Sequence, residues 1–119
     1  MKRIMLKSKI QRPTLTGTEL FYEGSITVDE DLLDQADILA GEQVHVFNVN
    51  NGARMITYAI SAPRGSGTVM LNGPAARLGM VGDKLVILSF CELEDGEAKS
   101  HRPLILQVDD DNRVTKRKE

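Results

Sequence analysis

Residues 43–61 read QVHVFNVNNGARMITYAIS, two alternating runs separated by Asn50, Asn51 and Gly52. Alternation with a period of two is the pattern of a half-buried strand. Asn-Gly tolerates the positive φ angles of a type I′ turn, so the stretch predicts an antiparallel β-hairpin. The rest of the chain has to be read around that pair.

Further strand signals lie on both sides. In RIMLKSKIQRPTLTG, residues 3–17, Ile4, Leu6, Ser8 and Ile10 alternate with Lys7 and Lys9, which predicts a strand with the lysines on the opposite face. ELFYEGSITV (19–28) reads as two short extended pieces joined at Gly24. TVML (68–71), KLVILSFCEL (84–93) and PLILQV (103–108) complete the strand-like runs. Helical logic enters in TVDEDLLDQADILAGE (27–42), where Thr27 or Asp29 can cap, acids fill the first turn, Leu32, Leu33 and Ala36 share a face, and Gly41 stops it. NGPAARLGMVGD (72–83) is a loop with one turn of helix, and the charged tail at 112–119 is expected to fray. The expectation is a mainly β single domain over 1–119: a small barrel or sandwich of six or seven strands with one or two short helices.

Composition excludes several partners. A net charge of −2 and a pI near 5.7 do not supply the clustered basic surface that nucleic acid or an anionic membrane needs. A single cysteine, Cys91, makes neither an internal disulfide nor a cysteine zinc site. With no apolar run near 18 residues and no signal-peptide pattern, the expected location is the cytoplasm.

The usual catalytic constellations are thin. His45 lies in an alternating strand and His101 starts another, too far apart for a metal motif. Cys91 sits in an apolar run as a buried thiol would, and RGSG (64–67) has too few glycines and no following helix for a phosphate loop. What remains are polar residues on strands that otherwise read as core: Lys9, then Arg54, Thr57 and Tyr58, then Asn72 with Gly73. Residues 54 and 58 face one side and Thr57 the other, unless a bulge intervenes. Singly, each has an ordinary surface or rim reading, and Gly24-Ser25 reads locally as a turn.

Taken together, YEGS (22–25), NVNNGARMITYAI (48–60), RGSG (64–67) and NGPAA (72–76) resemble the pyruvoyl-dependent aspartate 1-decarboxylases of pantothenate biosynthesis, in order and spacing over nearly the whole chain. The resemblance implies a double-psi β-barrel assembled as a homotetramer with active sites between subunits. It also implies self-cleavage: the Ser25 hydroxyl attacks the Gly24 carbonyl, the amide becomes an ester, and elimination leaves a dehydroalanine that hydrolyses to a pyruvoyl group. The products would be chains 1–24 and 25–119. Glycine admits strained backbone and close approach, serine supplies the nucleophile, and Thr57 resembles the residue that stabilises the oxyanion.

The implied activity follows from that group. The pyruvoyl ketone forms a Schiff base with L-aspartate and accepts the electrons left when CO2 departs, giving β-alanine; neither pyridoxal phosphate nor a metal is implied. Tyr58 matches the proton donor. Two substrate carboxylates call for cations, Arg54 gripping one bidentately and Lys9 supplying the second charge. Thr57, Asn72, Gly73 and Ala75 are implied at the substrate site. Gln11 and Phe47 stand where some relatives carry His and Trp, and Pro74 where some carry Ala. Pro74 has no amide hydrogen, so any contact made by that amide passes to Ala75 or Ala76. Two rival readings stay open: a non-catalytic β-barrel with Gly24-Ser25 uncut, and a self-processing relative that prefers another small acidic amino acid such as glutamate.

Overall fold

The longest strand, β1 (Lys2–Thr14), changes face halfway along. Leu6 pairs with Phe90 and Ser8 with the adjacent Ser89, so Lys7 is a β-bulge. A bulge adds one residue to one strand and swaps which side later residues face. Ser8 and Ile10 are therefore buried, whereas Ile4 is 73% exposed and shares the outer face with Lys9. The unbroken alternation expected from Ile4 to Ile10 is corrected at this point. Lys7 itself reaches Glu42 at 2.6 Å.

The computed structural model describes residues 1–119 as one continuous chain. After β1 come β2 (Gly17–Glu19), β3 (Ser25–Asp29), β4 (Gln43–Asn48), β5 (Arg54–Ala62), β6 (Val69–Asn72), β7 (Lys84–Glu94), β8 (Leu104–Val108) and β9 (Val114–Lys118). They hydrogen-bond in the order β2-β6-β3-β5-β4-β7-β1-β8-β9, with β1∥β8, β2∥β6 and β3∥β5 parallel and the other pairs antiparallel. The two end strands do not pair, so no ladder closes the sheet. Chain continuity brings the ends together instead. β2 follows β1 after Leu15 and Thr16; Leu15 is fully buried, and Thr16 N donates to Val69 O at 2.8 Å. With β1 and β2 as one run, six runs surround a core containing Ile10, Ile26, Val28, Val46, Leu71 and Ile87, all at 0% exposure. Each such side chain contributes about 1.5–3 kcal/mol by leaving water. The mainly β expectation holds. The strand count rises to nine because the three-residue β2 is separate and β9 pairs with β8 outside β1.

Three short helices occur rather than one or two. α1 (Glu30–Gln35) is capped by Asp29, whose side chain accepts from Asp31 N at 2.9 Å, with Leu32 and Leu33 buried. It stops at Asp37, not Gly41: Asp37 has φ 56°, and Ile38 N donates to Leu33 O while Asp37 N donates to Asp34 O. That bonding satisfies the last carbonyls and buries Ile38. A 3₁₀ helix spans Gly73–Leu78, and α2 (Asp95–Ala98) was not signalled by the sequence.

The NNG turn also differs from expectation. Only Gly52 has positive φ there, 76°, so the connection is a five-residue loop, 49–53, and not a type I′ turn. The cause is Asn48, buried, whose Oδ1 accepts from Asn50 N while its Nδ2 donates to Leu78 O and Asp83 Oδ2. The tail is likewise ordered. Asn112, 1% exposed, donates from Nδ2 to Thr14 O and Gly67 O and accepts from Thr14 N, which sets β9 beside β8. Residues 114–118 form β9 with mostly exposed side chains, beyond the three hydrogen bonds of the buried Asn112 amide.

RGSG is a structural loop. The Asp29 carboxylate accepts from Gly65 N at 3.1 Å and Gly67 N at 2.8 Å, so amides that could cradle a phosphate are already used. Asp83 ties a second corner: bonds from Asn48 and then from the Met80 amide hold its carboxyl below the usual carboxylate range. A carboxyl lowered on folding adds stability above its unfolded pKa, about 3.9, and that stability is lost as pH falls through the lower folded value. Asp83→Asn is thus expected to be less stable than the parent at pH 7, with the gap narrowing as both are acidified. Urea midpoints at the two pH values measure it.

Candidate active site at the Gly24–Ser25 bond

Ser25 is the first residue of β3 and is fully buried. It is the antiparallel partner of Asn72, itself 1% exposed at the end of β6. Asn72 Nδ2 donates to Ser25 Oγ at 3.0 Å and to Thr27 Oγ1 at 2.7 Å, while Ser25 Oγ donates to Glu23 O at 3.2 Å. The serine hydroxyl is therefore held from two sides next to the Gly24 carbonyl.

Two glycines meet here with different roles. Gly24 does not have positive φ, and a Cβ built on it would lie 3.4 Å from Pro74 Cδ, an ordinary contact. The strained backbone expected at Gly24 is absent. Gly73 carries the constraint: its φ is 64°, and a Cβ would sit 2.6 Å from Tyr22 O and 2.8 Å from both Gly24 N and Gly24 Cα. The turn before the bond packs directly onto the Gly73 backbone, which only glycine permits. Gly73→Ala is expected to destabilise the fold by about 3 kcal/mol, combining left-handed strain with backbone overlap. A denaturation midpoint shift of that size, with the 20–24 turn displaced, is the result to look for.

On the other side of the bond a cleft of about 410 Å³ is lined by Gly24, Thr57, Tyr58, Pro74 and Ala75, with Ile56 at its rim. β5 supplies Thr57 and Tyr58 on opposite faces as alternation requires; Tyr58 is 36% exposed and Thr57 half-buried. Pro74 opens the 3₁₀ helix, where the absent amide costs nothing, and places Ala75 at 9% exposure against the cleft. A second cleft of about 440 Å³ is lined by Glu19, Tyr22, Thr27 and Asn72 among others. Gly24, Ser25, Thr57, Tyr58, Asn72, Gly73 and Ala75 are thus brought together from three separate stretches of chain.

Lys9 and Arg54 are not among the residues lining either cleft. Cross-strand partners share a face. Lys9, Leu88, His45 and Ile56 form one row across β1-β7-β4-β5, and Gln11, Val86, Phe47 and Arg54 form the next. Both cations therefore lie on the outer face, three strands or about 14 Å apart at the usual strand spacing. Neither joins an ion pair within the chain, and the Arg54 guanidinium stacks on Phe47 at 4.3 Å. His45 meets Phe90 edge-on and His101 Nε2 contacts Leu6 O, both structural positions. Thr27 is the site residue that the sequence pointed to only as a possible helix cap. Its position two residues after Ser25 on one strand face was the available signal.

The family and sequence comparisons agree with one another. A family model described as aspartate decarboxylase matches residues 1–115. An aspartate 1-decarboxylase of Heliobacterium modesticaldum is 54% identical over 114 residues, 96% of this chain and 86% of that protein. Those of Thermoanaerobacter pseudethanolicus and Chromobacterium violaceum are 51% and 54% identical, covering 95% and 97% of this chain and 97% and 91% of theirs. Among solved structures, a rationally designed protein aligns with a TM-score of 0.46 and 18% identity, covering 71% of this chain and 95% of its own.

Proposed function

Because the chain belongs to the aspartate decarboxylase family, we propose that it removes the α-carboxyl group of L-aspartate as CO2 and releases β-alanine, the precursor used in pantothenate synthesis, after cutting itself between Gly24 and Ser25. The observation that carries the reading is the buried Ser25 hydroxyl, held by Asn72 beside a glycine carbonyl that borders a cleft with Thr57 and Tyr58.

In the cutting step the bond from Ser25 Oγ to the Gly24 carbonyl carbon forms and the Gly24–Ser25 C–N bond breaks. The hydroxyl proton ends on the amine so released. Negative charge gathers on the former carbonyl oxygen, and Thr57, whose hydroxyl β5 brings to that cleft from its inner face, is the donor for it. The Asn72 amide serves Oγ, favouring its deprotonated form during attack. The residues fit a pyruvoyl group at position 25: its ketone carbon would be the former Ser25 Cα and its methyl the former Cβ, directly after Gly24, which lines the Tyr58 cleft. When formed it supplies the electron sink that loss of an α-carboxylate requires. Tyr58 then delivers the proton to the α-carbon, and Ala75 with Asn72 and Gly73 bounds the substrate.

The cations complete the site through assembly. The outer face of β1-β7-β4-β5 exposes Ile4, Ile56, Tyr58 and Phe90 beside unpaired Lys9 and Arg54. An apolar face of that kind favours self-association, and a homotetramer would bring the Lys9 of a neighbouring copy to the Tyr58 edge to meet a substrate carboxylate opposite Arg54. No helix is long and apolar enough to cross a membrane; we assign the enzyme to the cytoplasm.

An intact mass under denaturing conditions tests the reading. Two chains divided at Gly24–Ser25 are expected, the larger about 17 Da lighter than a serine-initiated chain because a ketone replaces amine and hydroxyl. Addition of aspartate should then yield β-alanine, and glutamate as competitor measures the preference. One full-length chain that yields no β-alanine would leave the non-catalytic barrel.

A further inference from the structure

Resting on the self-cleavage reading, we propose that Thr27 is a positioning residue for the cut: its hydroxyl anchors the Asn72 carboxamide where the other Nδ2 proton meets Ser25 Oγ. Asn72 Nδ2 lies 2.7 Å from Thr27 Oγ1 and 3.0 Å from Ser25 Oγ, so each of its two protons is directed to one hydroxyl. The single Ser25 proton is committed to Glu23 O, and Oγ can therefore only accept from its other neighbour. A flipped Asn72 would present its carbonyl oxygen to Oγ and draw the serine proton toward itself.

At 1% exposure Asn72 has little water to replace a lost partner, so without the Thr27 hydroxyl one Nδ2 proton is unpaired and the carboxamide is free to turn away from Oγ. Orientation matters at two points. During attack the N–H favours the oxygen that is losing its proton. After the acyl shift Oγ is the ester oxygen, and when the Cβ–Oγ bond breaks and the Cα proton is lost, it departs as part of the Gly24 carboxylate. The same donor stabilises charge at both moments. Thr27 is half-buried and borders the cleft with Glu19 and Tyr22, so the methyl that replaces its hydroxyl in Thr27→Val, too large for a 2.7 Å approach to Asn72 Nδ2, can turn toward that cleft.

The test compares freshly synthesised parent, Thr27→Val and Thr27→Ser, following chain length by mass over time. Losing one hydrogen bond of ordinary net strength converts to about a five- to tenfold slower cut in Thr27→Val, with Thr27→Ser near the parent rate. Hydroxylamine cleaves esters and spares amides, so the fraction of chains it splits at Gly24–Ser25 reports the ester. Followed from the start of synthesis, that fraction should grow more slowly in Thr27→Val and recover its rate in Thr27→Ser. Circular dichroism checks the fold, with Thr27→Ala replacing Thr27→Val if the latter does not fold. Equal rates for parent and Thr27→Val overturn the proposal, as does equal slowing by Thr27→Val and Thr27→Ser, which would assign the effect to packing of the methyl group. A parent that never cuts overturns the self-cleavage reading itself, and this inference with it.

Discussion

Ser25→Ala is expected to give a folded protein that remains a single 119-residue chain and releases no CO2 from aspartate. The substitution removes only Oγ from a buried position whose backbone pairing, Ser25 with Asn72 and Ile26 with Leu71, is untouched. Asn72 keeps its bond to Thr27, and Ser25 gives up one donated and one accepted bond. The stability cost is about 1–2 kcal/mol, a fraction of a domain's margin. The chemical loss is total by comparison. Without Oγ there is no nucleophile within reach of the Gly24 carbonyl, and without the cut position 25 stays an amide with no ketone. Mass spectrometry and trapped CO2 read the two halves separately. A Ser25→Ala chain that still produces β-alanine would show that the electron sink lies elsewhere.

Tyr58→Phe is expected to cut at the parent rate and to lose about a hundredfold or more in kcat, the usual range for removing a positioned proton donor. The two effects separate because Tyr58 borders the cleft without touching the Ser25 hydroxyl, whose contacts are Asn72 and Glu23. Its ring lies on the outer face of β5, paired with Gln43, and phenylalanine keeps the ring and the packing. Mass should show normal chain 25–119, and steady-state rates should show the fall. Normal turnover would remove Tyr58 from the proton-donor role. A block in cutting would instead place it in maturation.

How much of this could be read from the chain differs by element. β4 and the first part of β5, Arg54–Ala59, were legible because each repeats its burial every two residues. β1 was misread past Lys7, since the bulge is created by its pairing with β7 and leaves no mark in the composition of MLKSKI. The NNG turn carried the right residues, but buried Asn48 captured the loop amides and changed the turn type. The tail reads as frayed because its charges resemble solvent-exposed sequence; the three bonds of buried Asn112 at its start left no mark in that composition.

The motifs around YEGS, RMITYAI and NGPAA determined the family and named the residues of the site, because each is a local arrangement of side chains that needs no partner to be recognised. Tertiary structure decided what those residues do to one another. It moved the glycine requirement from Gly24 to Gly73, gave Asn72 its two hydroxyl partners and set Lys9 and Arg54 on an outer face away from the clefts. The physical reason is register: Asn72 lies 47 residues from Ser25 in sequence, and only the pairing of β3 with β6 brings one amide to both hydroxyls.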